Sequence, residues 1–457
     1  MGVSGLLKLL KDSIEGGHIS SMKNLRAGVD AMNWLYIGGI YFGNLGWEEL
    51  PHLQFALRMI KTFAQFNITL VFVFDGKCLV NKAETREQRQ EVREKNLEIA
   101  LQLSEKGLNV QAEEYARRAF SVNKEMIFDM IDMLRNMDIE VIVAPGEADP
   151  QLAYLCKKGY VDYAISYDSD LICFGCPKVL YQLKTNGECK VFNSEKLGTS
   201  SSGKRFKNFT QEQWGLIAVF AGCDYLNNIK GLGIKTAFDL VDRFKTLKRI
   251  LHHLKYHKKF SKCITEEYTQ KAFQTLEYFL HYPVYDPYNH QVTSLSESET
   301  PLMVEIPKEK LCDFVKGNID PDTLENREFK NLDPEYLLRK TKTPQVTNPQ
   351  SEQLIQELSL TLKRKKEPST PSKKPKLVKV VPKVSLEKEV QELQEIYSYT
   401  PIQEKPTQKP IQKPKSQVSF SNPFAKAPQN QSLIEELGFF KKTPKKPKQV
   451  HKYFANY

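Results

Sequence analysis

Short apolar runs alternate with helix-periodic stretches through the front of the chain. The runs at Ala27–Val29, Ile68–Phe74, Glu140–Val143 and Tyr163–Ser166 have the length and composition of strands. Between them, Glu49–Phe66, Lys124–Asn136 and Asp149–Lys158 place apolar side chains at helical spacing, and Gln213–Gly222 reads as a further apolar helix. This alternation predicts an α/β fold with a mostly parallel central sheet flanked by helices, because a parallel neighbour requires a crossover. The stretch 76–123 breaks the pattern. It is polar, densely charged, helix-prone and too long for a crossover, so it is expected to project as a helical insertion. From residue 341 the periodicity is lost. The tail 341–457 holds 14 of the 24 Pro, one of the 23 Gly and no Trp or Cys. Such a segment cannot bury enough apolar surface to offset chain entropy, and disorder is expected, with helical islands at Glu352–Leu362 and Glu387–Tyr397. The chain thus divides into an N-terminal region 1–99, the overlapping insertion 76–123, an internal region 124–226, a third region 227–340 and the tail.

Charge refines this division. The net charge is +11, yet the tail alone has 22 Lys and Arg against 10 Glu and no Asp, an excess of +12. The remainder is near neutral, so a surface for an anionic partner there must come from segregated patches. All eight Cys precede residue 313 without framework-like spacing, which suits reduced thiols. Cys173 and Cys176 are closely spaced, but no second pair matches them, so ordinary thiols are favoured over a zinc site. No run of apolar residues is long enough to span a bilayer, no signal-peptide core precedes the first strand, and no membrane association is expected. Met1-Gly2 opens like a myristoylation signal, but Leu6 stands where Ser or Thr is required.

The candidate chemistry lies at the strand ends. Asp30 follows the first run, Asp75 the second, Glu147 and Asp149 the third, and Asp168 and Asp170 the fourth. Any one Asp after a strand is commonly just a turn or cap residue. Four strands ending this way would, if parallel, gather six carboxylates at one sheet edge, where α/β sites form. Asp224 after the apolar helix is a seventh candidate. So many acids together would repel or stay protonated unless cations join them, and all-oxygen donors suit Mg2+ or Mn2+. No His-Glu-x-x-His motif is present, and His253 and His257 sit in a Lys-rich helix that reads as surface. Two ions would stabilise the attacking and leaving oxygens of a phosphodiester.

Neighbouring features suit DNA. Lys82, Arg86, Arg89 and Arg93 recur at helical spacing just after Asp75, as a phosphate clamp would, although a solvated charged helix has the same pattern. Gly231 and Gly233 lie in a turn, Asn227–Ala237, that opens a helix carrying Lys235. Amide groups at such a helix start hold phosphate without reading sequence, and the Lys-rich run Lys245–Lys262 strengthens that reading.

These motifs, in order, resemble a known family. Met1-Gly2-Val3-Ser4-Gly5-Leu6-Leu7, Val73-Phe74-Asp75-Gly76, Glu147-Ala148-Asp149, Asp168-Ser169-Asp170 and Gly222-Cys223-Asp224-Tyr225 are similar to those of the 5′ structure-specific nucleases. That superfamily includes flap endonuclease, the large excision-repair nuclease and the junction resolvase. The resemblance covers about residues 1–340. Pro150–Leu155, Asp170–Cys176 and Gly317–Pro321 are most similar to its exonuclease 1 branch, and Asp149 stands where flap endonuclease usually has Glu.

The resemblance implies a PIN-like nuclease domain with a helical arch over 76–123 and a helix–two-turn–helix element near Gly231 and Gly233. It implies metal-binding roles for Asp30, Asp75, Glu147, Asp149, Asp168, Asp170 and Asp224. It further implies catalytic contacts from Lys82 and Arg89 to the scissile phosphate, flanked by Arg86 and Arg93. Gly231, Gly233 and Lys235 are expected to hold uncut duplex, with K+ bound at that element, and Gly2 to pack near the active site. A position two residues after the first Asp, commonly aromatic in the exonuclease 1 branch, is Met32; base stacking is therefore assigned to Tyr36, which flap endonuclease shares, against its alternative as a core residue. The implied reaction is in-line attack of water near a 5′ end, leaving a 5′-phosphate, with two Mg2+ ions that Mn2+ can replace. Expected substrates are duplexes with a nick, gap, recessed 5′ end or 5′ flap, cut by a monomer in the nucleus during DNA repair.

The tail carries Lys363–Lys366 and Lys373–Lys376, which resemble a bipartite nuclear import signal or a nonspecific DNA contact. Gln431–Phe440 lacks the spacing of a sliding-clamp peptide. Lys452-Tyr453-Phe454 resembles a basic-aromatic motif that docks on MutL-type mismatch-repair partners. Two alternatives stand beside the exonuclease: a flap-endonuclease-type replication enzyme, and a noncatalytic module that recognises DNA junctions.

Overall fold

In a computed structural model of the chain, the described residues are 2–42, 50–77, 83–198, 206, 209–297, 302, 304–334 and 337. The tail expectations and Lys82 lie outside them.

Seven strands form the main sheet: β1 Ile14–His18, β2 Arg26–Asp30, β3 Thr69–Phe74, β4 Glu140–Val143, β5 Tyr163–Ile165, β6 Lys178–Tyr181 and β7 Glu188–Asn193. Their order is β1-β7-β6-β5-β2-β3-β4. Strands β6, β5, β2, β3 and β4 are parallel, while β7 pairs antiparallel with both β6 and β1. The four expected strands adjoin one another as β5-β2-β3-β4, with β4 at one edge of the sheet. β6 and β7 were not anticipated: beyond β5 the sheet continues through a β6–β7 hairpin to β1 at the other edge. Strand β1, Ile14–His18, contains Gly16 and Gly17 and has little apolar content, which hid it in the sequence.

Chain order runs outward from β2 through β3 to β4, then returns to place β5 on the other side of β2. That reversal makes the β2/β5 boundary a topological switch point, where a crevice opens at the strand C-termini. Asp30 ends β2, and Asp168 and Asp170 follow β5, so the topology itself delivers these acids to one crevice.

Helices cover the sheet through aromatic packing. Trp34, on the helix Ala31–Phe42, is fully buried and meets Phe55 and Phe72 edge-on at centroid distances of 5.6 and 5.2 Å. This joins the helix Pro51–Ala64 to β3. Phe209, Trp214 and Phe238 join the helices Gln211–Ala221 and Ile234–Phe244, with Phe209 stacked on Phe238 at 5.5 Å. The expected insertion is a helical hairpin, Ala83–Glu105 and Asn109–Ala119. At its exit Phe120 lies against Gly39, where an added Cβ would come within 2.0 Å of the Phe120 ring. A small hairpin, β8 Pro283–Asp286 and β9 Gln291–Ser294, is pinned by buried Gln151. The Gln151 amide donates to the Tyr285 carbonyl at 2.8 Å and accepts its N–H at 2.7 Å, as a neighbouring strand would.

The helix Lys124–Asn136 is tied to the segment that follows the last helix by buried charges. Arg327 bonds both Asp132 oxygens, at 2.5 and 3.2 Å, and the Gly317 carbonyl at 2.6 Å, with Phe128 and Phe329 against its guanidinium. The Arg327 and Asp132 side chains are 6% and 2% exposed, so removing one partner strands a buried charge. Arg327→Leu is expected to destabilise the protein by about 3–5 kcal/mol in urea unfolding; a loss below about 1 kcal/mol would show that this network is not a fastening.

Candidate active site

Asp30 is the centre of the acid edge. Its Oδ1 caps the helix Ala31–Phe42 by accepting the N–H groups of Met32 and Asn33, at 3.1 and 3.3 Å. Ser166 donates its hydroxyl to Oδ2 at 2.9 Å, and the Asn33 amide donates to the same oxygen. Despite these donors, burial and the neighbouring charges of Asp75 and Asp168 push the Asp30 carboxyl up to about 7. Asp75 and Asp168, from two other strand ends, are therefore each within electrostatic reach of Asp30.

The other acids are held by a chain of contacts. Asp75, exposed beyond β3, accepts the Ala148 N–H at 2.8 Å, at the start of the helix Ala148–Lys157. Glu147 occupies the N-cap position of that helix and Asp149 its first turn. The Ser166 hydroxyl accepts the Asp168 N–H at 3.1 Å, and Asp168 accepts the Asp170 N–H at 3.0 Å. Asp168 and Asp170 are both buried. Asp224 lies in a tight turn after the helix Gln211–Ala221, in which Cys223 and Leu226 exchange backbone hydrogen bonds at 3.0 and 3.3 Å. Both Asp224 oxygens accept from one Arg89 nitrogen, at 2.8 and 2.9 Å. Arg89 belongs to the insertion helix Ala83–Glu105, so the insertion reaches the acid edge.

Gly2 has φ +84°, and a Cβ there would stand 2.0 Å from Asp168 Oδ1 and 2.7 Å from Asp170 Oδ1. Val3 donates its N–H to Asp170 Oδ1 at 2.8 Å. The N-terminus thus packs on the acids, as expected. Gly5, in the same segment, packs against Ile234, and Ile234 begins the helix after Gly231 and Gly233. Gly231 has φ +85°, Gly233 is the N-cap residue of that helix, and Lys235 is exposed on its first turn. One short N-terminal stretch therefore bridges the acids and the Gly turn.

Tyr36 is half-buried, with its ring 5.8 Å from that of Phe120. Burial raises its phenol while nearby Arg93 and Arg89 pull it down, so this tyrosine sits beside the basic face of the insertion. Arg93 is half-buried on the same helix; Arg86 lies on it too, but its side chain is outside the described residues.

Other sequence candidates stay apart from this edge. Cys173 and Cys176 are buried thiols pushed well up by burial, the state of an ordinary reduced cysteine. His253 and His257 line a surface concavity of about 710 Å3 with His252, Tyr256 and Lys258, and no acid lines it. Among the described residues no group of three His, Cys, Asp or Glu is drawn together closely enough to hold a metal ion. No helix among them is long and apolar enough to cross a membrane.

Sequence reasoning missed the groups that orient the acids. Ser166, Asn33 and the Val3 amide left no signal, since each acts through folding. Tyr225 donates its hydroxyl to Glu147 Oε2 at 2.7 Å, and its only trace was its place beside Asp224 in the Gly222–Tyr225 motif.

Family models decide what this arrangement belongs to. The XPG N-terminal domain matches residues 1–96, and the XPG I-region matches residues 138–224. Together they include every acid of this edge. The chain thus carries an XPG N-terminal domain and an XPG I-region. Its relatives include exonuclease 1 of Arabidopsis thaliana, 28% identical over 361 residues, which are 77% of this chain and 49% of that protein. Exonuclease 1 of Xenopus laevis is 30% identical over 301 residues, 65% of this chain and 41% of that protein. Exodeoxyribonuclease 1 of Schizosaccharomyces pombe is 30% identical over 308 residues, 66% and 53% of the two chains. The chain thus spans about half the length of these relatives. Solved structures to which the chain is similar include the catalytic core of Rad2 with a DNA substrate, at 21% identity, coverage of 69% and 95%, and a TM-score of 0.46. The junction-resolving enzyme GEN1 with product DNA and a Mg2+ ion has 20% identity, coverage of 70% and 74%, and the same TM-score of 0.46.

The packing of Gly2 on two acids generates a direct test. Gly2→Ala introduces both a clash and a left-handed alanine, which alone costs about 1–2 kcal/mol. Amide exchange at Val3 and through Leu6–Leu9 is expected to accelerate at least about tenfold; unchanged protection would mean that the N-terminus does not rest on the acids.

Proposed function

We propose that this chain is a Mg2+-dependent 5′→3′ exonuclease of double-stranded DNA, with 5′-flap endonuclease activity, acting in DNA repair. The observation that carries this reading is the gathering of Asp30 and Asp168 at the switch point, where the Ser166 hydroxyl bonds the Asp30 carboxylate at 2.9 Å and the Asp168 N–H at 3.1 Å. The XPG N-terminal domain and I-region, and similarity to exonuclease 1 relatives, support the same chemistry.

The donor set fits hard divalent ions. Asp30, Asp75, Glu147, Asp149, Asp168, Asp170 and Asp224 offer only oxygen, and Mg2+ keeps several waters, so it needs one or two carboxylates rather than a closed cage. Bound there, two Mg2+ ions, replaceable by Mn2+, would supply an activated water and neutralise charge on the phosphodiester.

The protein's own residues do the rest. Arg89, with Lys82, is assigned to the scissile phosphate. Its ion pair with Asp224 is partly exposed, at 43% and 16%, and is worth no more than about 1 kcal/mol after solvent screening. A phosphate can therefore take Arg89 from Asp224 at small cost. Arg86 and Arg93 extend the positive face along the duplex or flap. The amides near Gly231 and Gly233, with Lys235 and a K+ ion, are assigned to the backbone of uncut duplex. Tyr36 is assigned to stack on the terminal base beside that face. The expected partner is duplex DNA with a nick, gap, recessed 5′ end or 5′ flap. Nuclear import through Lys363–Lys376 and docking of a MutL-type partner on Lys452–Phe454 complete the proposal, and both rest on sequence.

End-labelled nicked, recessed and 5′-flap duplexes, offered with Mg2+, test this reading. Stepwise loss from the nicked and recessed 5′ ends is expected, and Asp170→Ala should lower the rate more than about a hundredfold, roughly 2.7 kcal/mol of transition-state stabilisation. Full activity in Asp170→Ala would overturn the ligand assignment. Incision of flaps alone would favour a flap-endonuclease-type enzyme, and no cleavage of any substrate would favour a noncatalytic junction-binding module.

A further inference from the structure

Glu147 differs from the other acids in how it is held. It takes the N-cap position of the helix Ala148–Lys157, yet its side chain makes no capping hydrogen bond there. Instead its Oε2 accepts the Tyr225 hydroxyl at 2.7 Å, across 78 residues of chain. The turn closed by Cys223 and Leu226 presents two adjacent side chains at its tip. Asp224 meets Arg89 of the insertion, and Tyr225 meets Glu147.

The Tyr225 ring is fixed on its other sides by aromatic neighbours. It stacks on Tyr278 at a centroid distance of 5.4 Å and 26°, and meets Phe279 edge-on at 5.7 Å. Both belong to the helix Glu266–His281. The next residue, Tyr282, packs against the backbone just before Glu147, where a Cβ on Gly146 would stand 2.6 Å from the Tyr282 ring. Glu147 is therefore bracketed by one aromatic cluster, at its backbone and at its carboxylate. Packing alone would be served equally by phenylalanine at 225. The hydroxyl, at charge-assisted distance from a carboxylate, is what packing does not require.

We infer that Tyr225 is a positioning residue for the cation site, its phenol holding the Glu147 carboxylate in the orientation in which it serves an ion. This rests on the reading of Glu147 as a metal-binding acid. Hydrogen bonds to a ligating carboxylate fix its rotamer, and losing such a partner typically weakens metal affinity about 10–100-fold. The inference gives the helix Glu266–His281, beyond the residues matched by either family model, a part in the chemistry.

The test is Mn2+ binding to the full-length, DNA-free protein, followed by the electron paramagnetic resonance of the free ion. Tyr225→Phe should weaken binding about tenfold. Phe279→Leu disturbs the same cluster without touching the hydroxyl; it should lower the melting temperature and leave Mn2+ affinity within about twofold. Glu147→Gln should weaken binding, and adding Tyr225→Phe to it should change nothing more. Wild-type affinity in Tyr225→Phe alongside weakened binding in Glu147→Gln would overturn the positioning role and leave the ligand assignment standing. Equal weakening by Phe279→Leu would reduce Tyr225 to packing. Unchanged affinity in Glu147→Gln would remove the ligand assignment, and this inference with it.

Discussion

Carboxylates that share one edge of a sheet repel one another, and most of the architecture around this edge can be understood as a response. Asp30 shows the strain most clearly: buried, with Asp75 and Asp168 nearby, its carboxyl rises to about 7. The fold offsets the repulsion with helix N-termini, whose exposed amides carry partial positive charge. Asp30 caps the helix Ala31–Phe42, Glu147 and Asp149 open the helix Ala148–Lys157, and Asp170 opens the short helix Asp170–Cys173. Three helices thus begin where the acids converge. Further donors arrive from afar: the Val3 amide, the Ser166 hydroxyl, the Tyr225 phenol and the Arg89 guanidinium.

The same constraint explains why the N-terminus and the insertion belong to the site. Gly2 has no Cβ, and only that allows backbone to lie against Asp168 and Asp170. The insertion brings positive charge to the edge on its first helix, while its second helix ends at Phe120, against Gly39 and beside Tyr36. Its partly exposed contact with Asp224 is weak enough to be exchanged. The Arg327–Asp132 pair, by contrast, is buried, and breaking it would strand a charge.

The strand ends were legible in the sequence because β2, β3, β4 and β5 are buried beyond their first residues, and such stretches read as short apolar runs. An acid directly after each then stands out. β6 and β7 were less legible: Lys178–Tyr181 is only four residues long, and Glu188–Asn193 mixes charged with apolar positions on an outer part of the sheet. The insertion was recognisable from its length and charge, whereas the break near Gly107 that folds it into two helices was not. The orienting groups were hidden for a different reason. Ser166, Asn33 and Tyr225 are unremarkable residue types, and only long-range packing brings each to its carboxylate. Tyr225 is the sharpest case: it stands beside a recognised acid in sequence, but serves a different one in space.

If the acids are held together at a cost that cations relieve, the DNA-free protein must gain stability from divalent ions. The decisive measurement is thermal unfolding at pH 7.5 with increasing Mg2+, in the wild type and in Asp30→Asn/Asp168→Asn. The account predicts a melting temperature that rises with Mg2+ in the wild type and is flat in the double variant. A wild-type melting temperature indifferent to Mg2+ would contradict it.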